Sequence, residues 1–372
     1  MPLFCLGVIV YIRQGRFEEG SERRYFQEMT RLGQTLGINL IFLPPWQKRN
    51  LDGKLMGFRY LLNEKRWSSG DYSRPQLLLD RYRVLRSPLF HHYLRFRKEI
   101  KIPILNNRMG NKWLVHRILS ADQEMVSHLP ETHLIESSQQ LIQMMQHHRR
   151  LFIKPINGTG GRHILQVSKQ ASHFSIHGRS GTNSLIHYPV VHSAHLLSLL
   201  RHLLPRERKF IVQQGINLGL LPRSVIDFRL LLQKDGQGEW KETAIIGKVA
   251  PHSHVTTNLH GGGRAMWADQ FLKRHFTAEQ YHHIRVQLQR LGVKIPLLLE
   301  NHFGSLVELG VDVGIDVNGH CWIIEVNPKP GRVILQRMGR SIYEKTTLHP
   351  LLYARYAYEN LMESEDRNIT DE

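Results

Sequence analysis

Two polar side chains interrupt an otherwise apolar strand pattern in the segment WIIEVNPKPGR, residues 322–332. Glu325 and Asn327 stand two positions apart, so in a strand they would share one face. An Asn-Gly turn at 318–319 precedes the segment, and a two-residue hairpin loop there would set Asp312 directly opposite Glu325. Three oxygen-bearing side chains would then converge on one face of a sheet.

Facing carboxylates of this kind need a neutralising partner. About 5 Å apart across a hairpin, Asp312 and Glu325 would repel by roughly 3 kcal/mol at an effective dielectric constant near 20. A divalent cation would remove this repulsion, and oxygen ligands without His or Cys favour Mg²⁺ or Mn²⁺, with substrate phosphates completing the coordination shell. The competing interpretation is structural: both carboxylates are exposed to water or pair with nearby Lys329 and Arg332.

A lysine and a glycine-rich loop form a second candidate element in LFIKPINGTGGRHILQV. Lys154 ends an apolar strand pattern, and the loop that follows contains Gly158, Gly160 and Gly161. Such a hairpin lets backbone N–H groups approach a polyphosphate while the lysine meets its charge. It is not a P-loop, because Gly-Lys-Ser/Thr is missing. A flexible hairpin tip with a solvated lysine is the alternative interpretation.

Basic groups near the same chemistry come from a third region. Asp227 and Arg229 share one face of the strand pattern VIDFRLLLQ, and the strand after it carries Lys248. The segment VTTNLHGGGRA then supplies an amide and a glycine loop that includes Asn258, Gly261 and Gly262. A guanidinium and an ammonium beside a magnesium site provide the charge stabilisation that phosphoryl transfer requires. An ion pair of Asp227 with Arg229 at the surface is the alternative.

The elements that would position these residues follow two patterns. The N-terminal part alternates strands with helices, which indicates an α/β domain with strands at 4–11, 38–44 and 76–80 and helices near 22–36 and 88–99. From residue 151 onward, three pairs of β-rich segments separated by turn residues predict antiparallel hairpins. Helices are predicted near 110–120, 193–204, 268–292 and 349–362.

Domain boundaries follow from these patterns. We predict a basic N-terminal α/β domain, a connecting region, a small subdomain with the glycine-rich loop, a large subdomain with the metal site and an acidic tail: 1–104, 105–150, 151–218, 219–362 and 363–372.

Composition limits the functional classes. The 372 residues carry a formal net charge of +18, and residues 1–101 contain 19 Lys and Arg against 9 Asp and Glu. Affinity for a polyanion is compatible with this charge, but no compact aromatic-basic motif favours nucleic acid. Two cysteines, Cys5 and Cys321, lie in apolar runs and are expected in the core, without a disulfide or zinc site. No run approaches the roughly 18 apolar residues of a membrane span, and the N-terminus lacks leader features, so we expect a cytoplasmic protein.

Taken together, these motifs resemble the ATP-grasp superfamily over roughly residues 105–335. The resemblance rests on a lysine before a glycine-rich loop, Asp-x-Arg, Asn-Leu-His-x-Gly-Gly, and an Asp followed thirteen residues later by Glu-x-Asn. More narrowly, LLLDRYR, NNRMGNKWLVHRIL, LPET and ELGVDVGIDVNGHCWIIEVNPKPGR resemble the endospore coat-associated YheC/YheD-like group. This resemblance implies an ATP-grasp fold with an N-terminal α/β domain, in a spore-forming organism, acting in the mother cell or at the spore coat.

The resemblance also implies roles for individual residues. It assigns Lys154 and Lys112 to the phosphates of ATP, the adenine to a linker near Gln213 and Gln214, and Mg²⁺ to Asp312, Glu325 and Asn327. Two positions depart from the pattern. Many ATP-grasp ligases carry an acidic residue in the linker, where this chain has the two glutamines, and some carry an arginine where this chain has Gly310.

Three functional hypotheses follow, in order of preference. The first is an ATP- and Mg²⁺-dependent ligase that joins a carboxylate to an amine or thiol through an acyl phosphate, with Arg229 and Lys248 steadying the developing charge. The NLHGGG loop is similar to that of glutamate-adding ligases, which hints at an amino-acid or peptide carboxylate. The second is a non-catalytic coat component that keeps the fold for assembly with other coat proteins. The third is a polyanion-binding protein.

Overall fold

The structure is a computed structural model, and it describes residues 4–12, 21–46, 53–83, 88–158, 160–171, 173–221, 224–250 and 263–370. Within these residues the chain forms three sheets of six, six and five strands. No helix of this described part has the length and apolar character that crossing a membrane requires.

The first sheet is mainly parallel and lies in the N-terminal part. Its order is β4-β3-β2-β1-β5-β6, in which β1, β2, β5 and β6 run parallel and the hairpin β3/β4 forms an antiparallel edge. The strands are β1 (Phe4–Ile9), β2 (Ile38–Leu43), β3 (Leu55–Leu61), β4 (Arg66–Tyr72), β5 (Leu77–Asp80) and β6 (Ile104–Leu105). The predicted α/β strands are confirmed, whereas β3 and β4 were missed because Gly57, Gly70 and alternating charges weaken their strand pattern.

Helices from both ends of the chain pack on this sheet. The helix α1 (Ser21–Thr35) buries Tyr25, Phe26 and Met29 in a core that also contains Leu351 and Ala354 from the last helix, α10 (Arg340–Thr370). The other face of the sheet packs against α2 (Phe90–Glu99). The predicted last helix, 349–362, was too short. The helix α10 begins nine residues before 349 and extends to 370, through most of the predicted acidic tail, with Pro350 in its interior.

The second sheet is antiparallel, with the order β11-β10-β9-β8-β12-β7. Its strands are β7 (Thr132–Leu134), β8 (Arg150–Pro155), β9 (Leu165–Lys169), β10 (Phe174–Arg179), β11 (Leu185–Val191) and β12 (Phe210–Gln214). One face packs on α5 (Ser138–His147) and α6 (Ser193–Leu203), which bury Leu141, Met144 and Leu196. The opposite face carries the alternate residues Arg150, Phe152 and Lys154 of β8.

The third sheet is also antiparallel, with the order β15-β14-β13-β16-β17. Its strands are β13 (Ile226–Lys234), β14 (Trp240–Val249), β15 (Arg264–Trp267), β16 (Glu308–Ile315) and β17 (Cys321–Asn327). Two short helices, α4 (Gln123–Val126) and α9 (Val333–Met338), and three longer ones, α3 (Lys112–Ser120), α7 (Ala268–His275) and α8 (Ala278–Phe303), accompany it. The three predicted hairpins, β8/β9, β13/β14 and β16/β17, are confirmed.

The long helix α8 covers the third sheet with a regularly spaced apolar face. Ile284, Leu288, Leu291, Ile295 and Leu299 are fully buried at intervals of three and four residues, and each contributes roughly 1.5–3 kcal/mol through burial. The predicted helical region 268–292 is divided at Thr277, whose hydroxyl caps α8 through the backbone N–H of Gln280. Cys321 lies in the core as predicted, whereas Cys5 is only half-buried.

Candidate functional site

The β16/β17 hairpin brings Asp312 opposite Glu325, as predicted, but by a different route. The prediction of a two-residue loop was wrong. Asp316 N–H donates to His320 O, which leaves a three-residue loop of 317–319 with Gly319 at φ +81°. That loop shifts the pairing by one residue, so that Ile315 faces Cys321, and an irregularity between Val313 and Asp312 shifts it back. The two deviations cancel, and the carboxylates face each other.

Asp312 lies at the centre of a hydrogen-bonded cluster. Arg229 donates from Nε to Asp312 Oδ1 at 2.7 Å and from Nη2 to Oδ2 at 2.9 Å, a bidentate geometry. Lys248 Nζ donates to Oδ1 at 2.8 Å, and Asn327 Nδ2 donates to Oδ2 at 3.4 Å. Strand pairing explains this convergence, because Arg229 faces Asp312 across β13/β16. Lys248 faces Asp227 across β13/β14 and lies 2.9 Å from its carboxylate.

Charge pairing dominates the electrostatics of this cluster. Burial by itself would raise the pKa of Asp312, but the cations of Arg229 and Lys248 hold that pKa well below its ordinary value. The reciprocal effect raises the pKa of Lys248: burial would lower it, and the carboxylates of Asp227 and Asp312 more than compensate. In place of an exposed pair of Asp227 with Arg229, the two residues belong to a largely buried cluster in which Arg229 pairs with Asp312 and Asp227 pairs with Lys248.

Glu325 has a more open environment than Asp312. Its side chain is 28% exposed, against 10% for Asp312, and Lys112 Nζ lies 3.1 Å from its Oε1. The same Nζ donates to the backbone O of Gly158 at 2.7 Å, so Lys112 joins the glycine-rich loop to the carboxylate strand. Helix α3 positions this lysine at its first residue, after Asn111 caps the helix by accepting from the backbone N–H of Leu114.

Lys154 approaches the same region from the second sheet. Its Nζ donates to Gln213 Oε1 at 2.6 Å, and Gln213 Nε2 donates in turn to Thr132 Oγ1 at 3.0 Å. Burial lowers the pKa of Lys154 to about 8, an effect that the carboxylate of Glu325 opposes and the cation of Lys112 reinforces. A bound anion would favour the charged form of this lysine, so the site suits an anionic ligand.

The two linker glutamines point in different directions, because neighbouring residues on a strand alternate faces. Gln213 joins Lys154, whereas Gln214 Oε1 accepts from the backbone N–H of Glu131 at 3.1 Å, away from that lysine. Of the predicted pair, only Gln213 therefore brings its side chain to the site.

The glycine-rich loop has the backbone conformation that its composition predicts. Gly160 and Gly161 have φ of +72° and +76°, which residues with a Cβ rarely adopt, and a Cβ at Gly160 would meet nothing within 4 Å. Gly158 contributes its carbonyl to Lys112. The approach of the loop N–H groups to a polyphosphate stays a prediction.

The second glycine loop lies outside the described residues, which include neither Asn258, Gly261 nor Gly262. The described chain resumes at Gly263, which is buried and leads directly into β15. β15 pairs with β14, and Ala265 faces Lys248. The contribution of the three predicted residues remains an expectation from the sequence.

Gly310, where some ligases carry an arginine, has a local packing role. A Cβ at this position would lie 2.9 Å from Arg229 Nη1 and 2.9 Å from Pro330 Cβ. The missing side chain therefore leaves the space in which the Arg229 guanidinium reaches Asp312.

The alternative pairing of Asp312 and Glu325 with Lys329 and Arg332 is wrong. Lys329 Nζ lies 2.5 Å from Asp80 Oδ1, and Arg332 pairs with Glu308, a fully buried carboxylate that Arg81 also contacts. Sequence reasoning missed this buried cluster, which includes Asp80, Arg81 and Glu308. A signal for this cluster in the sequence was the pair of basic residues in PKPGR, Lys329 and Arg332, directly after the carboxylate strand.

The donor set at Asp312 and Glu325 fits a hard divalent cation. Two facing carboxylates and the amide of Asn327 are oxygen ligands of the kind that Mg²⁺ prefers, and Glu325 is open enough to be reached. No group of three His, Cys, Asp or Glu side chains suited to a metal occurs in the described ranges. A cation would therefore take two carboxylates and an amide from this chain, and its other ligands from water or phosphate.

Comparisons with known proteins identify relatives of this chain. The YheC/D like ATP-grasp family matches residues 101–357. The chain is 27% identical over 326 residues to the endospore coat-associated protein YheD of Bacillus subtilis (strain 168), covering 86% of this chain and 70% of that protein. It is 21% identical over 350 residues to YheC of the same organism, covering 91% and 93%.

Two solved structures with a similar fold are named as synthetases. D-cycloserine synthetase DcsG aligns with a TM-score of 0.53 at 14% identity, covering 96% of this chain and 99% of that one. D-alanyl-alanine synthetase A from Vibrio cholerae O1 biovar eltor aligns with a TM-score of 0.52 at 11% identity, covering 96% and 99%. At these identities the likeness shows the fold alone. With the family match over more than half of its length, the chain belongs to the YheC/D-like ATP-grasp family.

Proposed function

We propose that this protein is an ATP- and Mg²⁺-dependent ligase that joins a carboxylate to an amine or thiol. The observation that carries the proposal is the convergence of two lysines on the paired carboxylates: Lys112 contacts Glu325, and Lys154 lies close enough for that carboxylate to influence its pKa. A lysine from helix α3 and a lysine from the second sheet, both close to carboxylates of the third sheet, suit a triphosphate with its metal ion. The synthetase names of the structural neighbours agree with this class.

In this proposal the nucleotide lies between the second and third sheets. Lys112 and Lys154 bind the phosphates, the glycine-rich loop covers them, and the adenine lies beside the linker at Gln213 and Gln214. Asn258, Gly261 and Gly262 extend the site from the second glycine loop.

Asp312, Glu325 and Asn327 would hold Mg²⁺, which when bound neutralises phosphate charge. The pairings of Asp312 with Arg229 and Lys248 keep its carboxylate ionised and fixed in place for this role. Arg229 and Lys248 also supply the positive charge that steadies the transferred phosphoryl group.

The chemistry follows from these roles. A carboxylate oxygen of the substrate attacks the γ-phosphorus of ATP, the bond to the β-phosphate oxygen breaks, and ADP leaves. The amine or thiol then attacks the acyl carbon, inorganic phosphate leaves with the carbon–oxygen electron pair, and the nucleophile loses its proton. No side chain of the enzyme forms a covalent bond. The names of the relatives support a role in endospore coat formation, in the mother cell cytoplasm or at the coat.

Calorimetric titration with ATP, with and without Mg²⁺, tests the nucleotide site. We expect Mg²⁺-dependent binding in the wild type and at least tenfold weaker binding in Glu325→Gln, which keeps the shape but loses one metal ligand. Glu300→Gln is a matched control, because its carboxylate contacts Lys234 away from the site. ADP formation only when an acid and an amine are both present would extend the result to catalysis. Equal affinity in Glu325→Gln and wild type would refute the metal assignment.

A non-catalytic coat component is the second candidate. The linker favours it, because glutamines replace the usual acidic residue, and the relatives are named for coat association. Charge reversal of the exposed Lys98 and Lys101 should then abolish coat localisation, whereas Glu325→Gln should leave it intact. Arg81 is unsuitable for such a test because it is buried against Glu308.

A further inference from the structure

A basic basin lies on the second sheet, outside the cluster at Asp312. It is an open cavity of about 600 Å³ that includes six basic residues: His147, His148, Arg149, Arg150, Lys169 and His177. The remaining lining residues are glutamine, serine, asparagine and glycine, and among the described residues no carboxylate or aliphatic side chain lines the cavity. A surface of this composition suits a polar anion and not an apolar ligand.

The basin and the candidate nucleotide site occupy opposite ends of the β8/β9 hairpin. Lys154 and the glycine-rich loop lie where β8 ends, whereas Arg150 lies where β8 begins and pairs with Ser168 near the end of β9. Four residues of strand separate the two basic side chains by roughly 13 Å. Neither Lys112, Lys154, Gln213 nor Glu325 lines the basin, which adjoins the linker through Gly215.

Local packing supports Arg150 on the basin wall. The backbone N–H of Gly215 donates to Arg150 O at 2.8 Å, and a Cβ at Gly215 would lie 2.6 Å from Arg150 Cγ. The glycine thus leaves room for the aliphatic part of the Arg150 side chain, and the residue stays exposed. Arg149 and Lys169 are also exposed, and the Lys169 N–H donates to Arg149 O at 2.8 Å, which holds the two residues side by side.

The histidines add further hydrogen-bonding capacity. His177 stacks on His187 with ring centroids 4.4 Å apart, and within the described residues its Nε2 is buried without a hydrogen-bond partner. A bound carboxylate or peptide group would reach this nitrogen only if the stacked rings shifted, because the nitrogen is shielded from solvent. His148 differs, because Glu131 already contacts its Nε2 at 2.6 Å.

We infer that the basic basin binds an acidic polypeptide segment. Arginine heads bind carboxylates in a bidentate manner, and the amides and hydroxyls of Gln166, Ser168 and Ser175 can bond a peptide backbone between them. Nucleic acid fits less well, because the rings available for base stacking are imidazoles and no described Phe, Tyr or Trp lines the basin. The inference goes beyond the proposed ligase reaction and requires neither ATP nor Mg²⁺.

Fluorescence anisotropy with a labelled octaglutamate peptide, without nucleotide or metal, tests the inference. We expect saturable binding that weakens as salt rises, because the contacts are between exposed charges. The variant Arg149→Gln/Arg150→Gln/Lys169→Gln should bind roughly tenfold more weakly or worse, the loss expected from several exposed charge contacts.

A control variant separates the basin from net charge. Arg201→Gln/Arg206→Gln/Lys209→Gln removes the same three charges from exposed positions of the same sheet domain, so it should bind the peptide like the wild type. Circular dichroism should show both variants folded, since all six side chains are exposed. Lys154→Ala should also bind the peptide normally, which would keep the inference separate from the nucleotide site.

Three results would overturn the inference. The first is no binding of octaglutamate by the wild type, and the second is an equal loss of peptide affinity in the basin and control variants. The third is a labelled oligodeoxythymidylate of equal charge that binds more tightly than the peptide and is equally sensitive to the basin substitutions. The last result would identify the basin as a nucleic-acid site.

Discussion

The two facing carboxylates of the candidate site differ in environment and therefore in function. Asp312 is largely buried and bonded to Arg229 and Lys248, so it organises the site. Glu325 is more open and contacts the ammonium of Lys112, which a nucleotide could draw away. In the proposed site both would bind Mg²⁺, but the protein's own cations already fix Asp312 in place, whereas Glu325 is the more accessible ligand.

Asp312→Asn should destabilise the protein by about 3 kcal/mol, because two buried cations would lose their shared partner. Glu325→Gln should lower the free energy of unfolding by less than about 1 kcal/mol, because its ion pair with Lys112 is partly exposed. Urea denaturation followed by circular dichroism measures both. Equal losses in the two variants would contradict the different roles assigned here.

The Asp312 contribution should also depend on pH. Its pKa is depressed in the folded state, so the ionised form stabilises the protein fully above the ordinary Asp value of 3.8. That contribution is lost as the pH falls from this value toward the folded-state pKa. The stability difference between wild type and Asp312→Asn should therefore shrink in acid.

Lys154 predicts the pH dependence of nucleotide binding. Burial lowers its pKa to about 8, and phosphate binding favours the charged form, so ATP affinity should fall by up to tenfold per pH unit above about 8. Calorimetry between pH 7.5 and 9.5, chosen around that value, follows the change. In Lys154→Arg the side chain stays charged, so the fall of ATP affinity around pH 8 should disappear. In Gln213→Glu the added carboxylate should move that fall to higher pH. A wild-type affinity that does not vary with pH would exclude Lys154 from the phosphates.

At the scale of elements, β17 and the segment after it join two parts of the molecule. Glu325 and Asn327 face the candidate site, while Lys329 and Arg332, a few residues later, reach Asp80 and Glu308. Asp80 ends β5 of the first sheet, and the next residue, Arg81, contacts Glu308 at the start of β16. Ion pairs therefore hold the carboxylate hairpin against the N-terminal sheet.

Glu308→Gln should destabilise the protein by about 3–5 kcal/mol, because Arg81 and Arg332 would remain buried without their common carboxylate. Both guanidinium groups also lie over the Tyr25 ring, 5.0 Å from its centroid, so they cannot easily turn to solvent. Urea denaturation provides the measurement. Glu359→Gln is the control, since its pair with Arg355 is exposed and should change stability by less than about 1 kcal/mol. Similar small losses in both variants would show that the buried pairs contribute little.

At the scale of the whole molecule, the candidate site draws on two sheets and is supported by the third. Lys154 comes from the second sheet, Asp312 and Glu325 come from the third, and Asp80 and Arg81 hold the neighbouring segment from the first. The helix α10 then returns the C-terminal part of the chain to the N-terminal core, where Leu351 and Ala354 are buried. A ligand bound at the site would therefore bridge parts of the chain far apart in sequence.

Saturating Mg-ATP should raise the melting temperature. At a concentration of 100 Kd, binding stabilises the folded state by about 2.7 kcal/mol, which corresponds to roughly 3 °C for a chain of this size. Differential scanning fluorimetry measures the shift. Glu325→Gln, with at least tenfold weaker binding, should lose about half of this shift or more at the same ATP concentration. An equal shift in that variant would place the nucleotide elsewhere.

The sequence by itself determined the three hairpins and the α/β character of the N-terminal part, and the predicted pairing of Asp312 with Glu325 is found in the structure. These features depend on local information: apolar alternation within a strand, turn residues at its ends and the two-residue period of side chains. Even so, the loop at 317–319 was one residue longer than predicted, and the pairing came out correctly because a second irregularity compensated.

Only the tertiary structure decided which cation meets which carboxylate. Lys329 and Arg332 are nearest to Glu325 in sequence, yet they pair with Asp80 and Glu308, while Arg229 and Lys248 neutralise Asp312. A charged side chain buried in a fold pairs with whatever opposite charge the packing of distant elements brings within a few ångströms, because an unpaired buried charge costs too much. Sheet order brings β13 beside β16 and the end of β5 beside Lys329, and local sequence patterns carry no information about that order.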